Sequence, residues 1–214
     1  MFLKRKNPKV FCIGAGKTGT TSIETALSDL GYKMGNQTLG EMLVKDYSER
    51  NFAPILKFCK TAEAFQDAPF CFKHLYVALD QAFPNSKFIL SIRDSEEQWY
   101  NSFIKFQSKL FADGKRIPTV DDLKNAKYRY KGYVWEVRQK IYGITENDDP
   151  YDEHILKNYY SSHNKAVLDY FRNTNNLLVI NISKTNSYMQ FCDFLGKKPL
   201  YKQFPWENKT SEIK

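Results

Sequence analysis

Between Val10 and Leu30 the chain reads VFCIGAGKTGTTSIETALSDL, and its middle holds the residue types that cradle an oxyanion. Gly14-Ala15-Gly16-Lys17-Thr18-Gly19-Thr20-Thr21 sets glycines, threonines and one lysine between an apolar run and a helical pattern. Backbone N–H groups, hydroxyls and an ammonium at a helix N-terminus suit a phosphate or sulfate group. A glycine turn that merely packs close to a strand needs one glycine, not this set. The order also differs from the common ATP/GTP loop, in which Gly and four residues precede Gly-Lys-Ser/Thr. Here Thr20 follows Gly19, and Lys17 lies two positions before that glycine.

The elements that must position these groups follow from periodicity. Val10 to Ile13 is a short apolar run, read as a buried strand. Ile23, Ala26, Leu27 and Leu30 then recur at helical spacing until Gly31. Thr21 and Glu24 make a Ser/Thr-x-x-Glu pattern, which assigns Glu24 to capping the helix rather than to chemistry. Lys87 to Ile92 (KFILSI) is a second strand, apolar enough to be covered on both faces, and Arg93-Asp94 stands at its carboxyl end. Ligands of open parallel sheets bind beyond the carboxyl ends of strands, so Arg93 is expected near the glycine loop. Leu177 to Ile182 (LLVINI) is a third strand, and Tyr32–Met34 and Ala62–Gln66 are two short ones. Helices are expected within residues 36–60, where Pro54 opens or breaks an element, and over His74–Phe83, Asp152–Phe171 and Ser187–Leu195, the last ended by Gly196. Trp99, Phe103, Phe106 and Leu110 form a stripe read as core packing, and His163 reads as a core or supporting histidine. Residues 112–151 are the least legible. Thr119 with Asp121 and Asp122 starts a helix, Gly143–Pro150 is a polar loop, and the region is either a substrate-side insertion or lid, or a solvated helical hairpin. Strands alternating with helices predict an α/β fold with a parallel sheet and right-handed crossovers, in one domain over residues 1–214.

Composition narrows the partners. The formal net charge is +8, but the lysines are scattered without a long basic run, so nucleic acid is not an expected partner. A polyanionic ligand accounts for part of the excess and an ordinary solvated surface for most of it. Cys12, Cys59, Cys71 and Cys192 lack Cys-x-x-Cys or zinc spacing, which predicts free thiols in a reducing, cytoplasmic setting. Lys4-Arg5-Lys6 precedes an apolar run too short for a signal peptide, and no stretch is long enough to cross a membrane. The paired carboxylates Asp121-Asp122 and Asp148-Asp149 read as loop or helix-start residues, and no metal site is expected.

Several stretches taken together go further. GAGKTGTTS, then DAPFCFKHLYVALDQAFPNSKFILSIRDSEEQWYNS, YYSSHNKAV and finally LLVINI, FCDFLG and FPWEN follow in an order that resembles the sulfotransferases using 3′-phosphoadenosine 5′-phosphosulfate (PAPS), in their small bacterial and soluble eukaryotic forms. The resemblance implies a three-layer P-loop-like fold, PAPS as donor and 3′-phosphoadenosine 5′-phosphate (PAP) as product. It implies that Gly16, Lys17, Thr18, Gly19, Thr20 and Thr21 hold the 5′-phosphosulfate, with Lys17 neutralising the leaving oxygen. It implies that Arg93 grips the 3′-phosphate together with a serine eight positions on. That position holds Asn101 here, and Ser102 follows, so a one-residue insertion near Ser95 is needed to assign Ser102. Where family members carry His-x-Pro, this chain has Asp67-Ala68-Pro69. Asp67 is therefore the first candidate general base and His74 the second. The acceptor is expected to be a small molecule or carbohydrate with a hydroxyl or amine. A P-loop kinase and a nucleotide-binding module without catalysis are the alternatives.

Overall fold

The computed structural model describes residues 8–205; Lys4-Arg5-Lys6 and the Trp206-Glu207-Asn208 part of the C-terminal motif lie outside the described residues. The first apolar run forms β1 (Val10–Cys12), and α1 (Thr20–Asp29) follows the glycine loop. Residues 36–60 break into three short helices, α2 (Gln37–Glu41), α3 (Val44–Ser48) and α4 (Ala53–Phe58), with Pro54 in the first turn of α4, where its missing N–H costs nothing. Then come β2 (Ala64–Phe65), α5 (Leu75–Ala82), β3 (Lys87–Ser91) and α6 (Glu96–Phe111). Residues 112–151 contain α7 (Val120–Asn125), opened by a reciprocal Thr119/Asp122 capping box, and α8 (Tyr133–Tyr142). The chain continues through α9 (Glu153–Phe171), β4 (Leu177–Ile180) and α10 (Ser187–Leu195), which stops at Gly196 in the left-handed region.

Among the described residues the strands form one all-parallel sheet in the order β2-β1-β3-β4. The expected strand at Tyr32–Met34 is reduced to a single bridge from Met34 to Ala64, because β2 is only two residues long and offers no ladder beyond it.

Alternation along the strands splits the core in two. Phe11, Phe65 and Phe88 are register partners across β1, β2 and β3, and their rings stack, 5.6 Å from Phe11 to each neighbour. They face α5, α6 and α9, with Leu79, Trp99 and Phe171 in the same cluster. Val10, Cys12 and Ile89 face the other way, onto Leu27 of α1 and Phe191 of α10. The result is the expected α/β fold, three layers with a central parallel sheet and helices on both faces. Phe204 closes the second cluster, 5.0 Å from Phe191 and 5.3 Å from Tyr188. All four cysteines are free and buried, and no described helix is long and apolar enough to cross a membrane.

Candidate functional site

The chain leaves β1 for β2 on one side and returns to β3 on the other. The crevice at the carboxyl ends of β1 and β3 is therefore the topological switch point of the sheet. The glycine loop and Arg93 both open there.

Close packing explains two of the loop glycines. A Cβ on Gly14 would lie 2.4 Å from the carbonyl oxygen of Ser91 and 2.7 Å from its nitrogen, so only glycine lets the loop cross β3. Gly19 has φ +98°, and a Cβ there would meet Ile182 Cδ1 at 2.2 Å. Thr18 is fully buried. Its hydroxyl donates to the carbonyl of Ala15 (2.6 Å) and lies 2.6 Å from Ser91 Oγ. Thr18 thus shapes the loop from beneath, whereas Gly16, Lys17, Gly19, Thr20 and Thr21 line a cavity of about 380 Å³.

The helix behind the loop starts without a side-chain cap. Gly19 occupies the cap position, which puts Thr21 already inside α1 and takes Glu24 out of the expected capping box. Glu24 instead accepts a hydrogen bond from Gln66 Nε2 at 3.1 Å. A helix end left without a side-chain cap is suited to an anion.

Side chains from the β3–α6 turn and from α6 hold the loop's carbonyls. Arg93 Nε donates to Lys17 O at 2.8 Å, and Trp99 Nε1 donates to Gly16 O at 2.9 Å. Lys17 has φ 71°, a conformation that costs a non-glycine residue roughly 1–2 kcal/mol and needs such support. The Arg93 N–H donates to Tyr160 Oη at 2.9 Å, and the Tyr160 ring stacks on Trp99 at 4.7 Å, so arginine, tryptophan and loop are one assembly. His163 supports it from below. It is fully buried and bonds Ile13 O through Nε2 at 2.8 Å, which requires the Nε2–H form, and burial pushes its pKa down to about 4.

The two charged groups at the mouth of the loop are both perturbed. The Lys17 ammonium sits 3.7 Å from the centroid of Phe106. Burial, and then the Arg93 guanidinium, push its pKa down to about 8. Asp67 lies beside the loop, its Oδ1 3.7 Å from where a Gly16 Cβ would stand. It has φ 58°, and its Oδ1 accepts the Ala68 N–H at 2.9 Å. Burial, and then the nearby Glu41 carboxylate, raise its pKa to about 6.

The structure does not bring the second candidate base into the cavity. His74 is exposed at the start of α5, its Nδ1 3.4 Å from Tyr76 Oη, and it is not part of the cavity lining. On α6, Asn101 is exposed and donates to Glu97 one turn back, at 3.0 Å. Ser102 stands three residues after Trp99 and four before Phe106 on α6, is half-buried, and does not line the cavity. The stripe assigned to the core divides: Trp99 and Phe103 are buried in the core, Phe103 also lining the cavity, while Phe106 and Leu110 line the cavity without being buried.

The opposite wall comes from residues 112–151. Tyr128, Tyr133, Val134, Val137 and Arg138 all line the cavity. Glu41 of α2 is a site residue that the sequence did not single out. It is 4% exposed, lines the cavity, and pairs with Arg129. Its partner is distant in the chain, so no local motif announces it. Among the described residues no group of three or more His, Cys, Asp or Glu side chains is arranged to hold a metal ion.

A family model described as a sulfotransferase domain matches residues 9–213 of the chain. No curated protein matches it.

Proposed function

The chain belongs to the sulfotransferase-domain family, and from that premise we propose that it moves a sulfuryl group from PAPS to the hydroxyl or amine of a small-molecule acceptor. The observation that carries this reading is the 2.8 Å bond from Arg93 Nε to Lys17 O. It fixes a loop cation and a second cation side by side at the switch point, in front of an uncapped helix. Two cations in one crevice suit a ligand carrying more than one anionic group, and Gly16 and Gly19 line the cavity there.

Lys17, Gly19, Thr20 and Thr21 would hold the 5′-phosphosulfate, and Arg93 with Ser102 the 3′-phosphate, where a guanidinium binds in bidentate fashion. The donor supplies an activated sulfuryl group: a sulfur–oxygen bond to the acceptor forms as the bridging sulfur–oxygen bond breaks, and the electron pair stays on the 5′-phosphate. Lys17 meets that growing charge. Asp67, beside the loop, takes the proton of the acceptor hydroxyl.

The donor assignment is tested by thermal unfolding with PAP and, separately, with ATP and Mg²⁺. PAP at 100 times its dissociation constant is expected to stabilise the protein by roughly 2.7 kcal/mol. ATP with Mg²⁺ is expected to shift the melting temperature much less. A larger shift with ATP, or none with PAP, overturns the donor assignment.

The role of Asp67 has its own signature in pH. As a base it works deprotonated, so kcat/KM should rise through about pH 6, and it should fall again as Lys17 of the free enzyme loses its proton near about pH 8. Asp67→Asn should lose most of the rate and the acidic limb while PAP still binds. Stability should move the other way. The folded-state pKa of Asp67 lies above its unfolded value, so its contribution is present at low pH and lost as pH rises through about 6. Asp67→Asn is therefore expected to raise the melting temperature at pH 7.5 but not at pH 4. An acidic limb that survives in Asp67→Asn would assign the base to another group.

A further inference from the structure

Arg138 of α8 is 2% exposed, yet among the described residues it makes no ion pair within salt-bridge distance. Its guanidinium carbon lies 4.8 Å from the ring centroid of Phe103, 5.2 Å from Tyr142 and 4.9 Å from Tyr151. One Nη donates to Gln107 Oε1 at 2.7 Å, an oxygen that also accepts from Tyr151 Oη at 3.2 Å. Its Nε is buried and has no hydrogen-bond partner. The carboxylates of adjoining segments are engaged elsewhere: Asp122 with Arg116, Asp149 with the Tyr151 N–H, and Glu136 with Lys140 and Tyr130.

A guanidinium cannot shed its proton, so burial leaves a full positive charge that needs an anion. Ring faces offset part of that cost, and the neutral Gln107 amide oxygen and Tyr151 hydroxyl add little. Yet Arg138 and Gln107 both line the cavity that the glycine loop opens into. Phe103 links the two ends: its ring is 5.3 Å from that of Trp99, and Trp99 bonds Gly16 O. The unpaired cation thus stands two aromatic rings away from the loop, and Phe106, Tyr128 and Tyr133 line the same cavity.

We infer that the acceptor is an aromatic hydroxy compound bearing a carboxylate, its carboxylate held by Arg138 and its hydroxyl presented to Asp67 and the loop. This rests on the sulfuryl-transfer reading for the role of the hydroxyl, but the carboxylate site stands on Arg138 alone. The aromatic walls take the flat body, and Arg138, which lines the cavity, supplies the cation and N–H donors that a carboxylate pairs with. A neutral phenol of the same shape would leave the buried cation unpaired, and a cationic one would meet it directly.

Calorimetric titration of the protein with para-hydroxyphenylacetate, its methyl ester and tyramine tests the inference without any donor present. The acid is expected to bind at least about 10-fold more tightly than the ester, as charge-assisted bonds allow, and tyramine most weakly. Arg138→Met should bring the acid-to-ester ratio close to one while PAP still raises the melting temperature. Equal affinity of the wild-type protein for acid and ester, or no binding of either at millimolar concentration, overturns the inference even if Arg138→Met fails to fold. A preference for the acid that persists in Arg138→Met also overturns it. The PAP shift is measured alongside. Its absence with the carboxylate preference intact strikes the donor reading, whereas its presence without the preference strikes only the acceptor class.

Discussion

Lys17→Met is expected to lower kcat by about 10²–10³-fold, the range seen when one preorganised donor is removed from developing oxyanion charge. Methionine is unbranched and only one atom shorter, and it can rest on the Phe106 face as the ammonium does, so the loop should fold as before. The change then isolates charge. Before reaction, the bridging oxygen carries little of it. As the sulfur–oxygen bond breaks, that oxygen gains most of a unit, and the ammonium beside it acts chiefly on the transition state. The affinity for PAP should therefore fall much less than kcat does. Two further readouts separate this role from a structural one. The alkaline limb of kcat/KM, set near about pH 8 by Lys17, should vanish in the variant. Stability should rise at neutral pH: the folded-state pKa of Lys17 is lowered, the unfolded chain binds the extra proton, and native Lys17 costs stability until pH climbs through about 8 toward its unfolded value. A variant with unchanged kcat, measured with saturating donor, would remove Lys17 from the chemistry.

The sequence showed this half of the site because its signals are local. β1, the loop and α1 occupy one continuous stretch, and the apolar run of β3 ends directly at Arg93. Sheet topology does the remaining work of bringing the two strand ends together. The other half was not legible for a physical reason that differs from residue to residue. α8 buries Tyr133, Val134, Trp135 and Arg138, three of them consecutive and one a cation, so no helical face shows in the pattern. The rings around Arg138 come from α6, from its own helix and from the turn before α9, a combination no short window of sequence contains. The stripe on α6 has helical spacing whether it faces a core or a cavity; periodicity reports what is apolar, not what it touches. Ser91 interrupts an apolar strand, and that small residue is the one local hint that Gly14 and Thr18 pass close to β3.

Arg93→Ala should cost about 100-fold or more in PAP affinity, within the range for truncating one member of a desolvated, hydrogen-bonded charge pair. The loss has two possible origins, because Arg93 both faces the cavity and holds Lys17 O. Adenosine 5′-phosphate, which lacks the 3′-phosphate, tells them apart. If Arg93 grips the 3′-phosphate, the wild-type protein binds PAP more tightly than adenosine 5′-phosphate, and that gap closes in Arg93→Ala. If Arg93 acts only by securing the loop at the strained φ of Lys17, both ligands weaken by the same factor and the gap stays open. Arg93→Lys sharpens the comparison: it keeps a charge but lacks the planar fork, so it cannot bond Lys17 O through one nitrogen while presenting two others to a phosphate. It is expected to recover little of the PAP affinity. Closure of the gap in Arg93→Ala together with poor recovery by lysine would place the 3′-phosphate on the guanidinium. A gap that persists in both variants would move that phosphate to another part of the cavity.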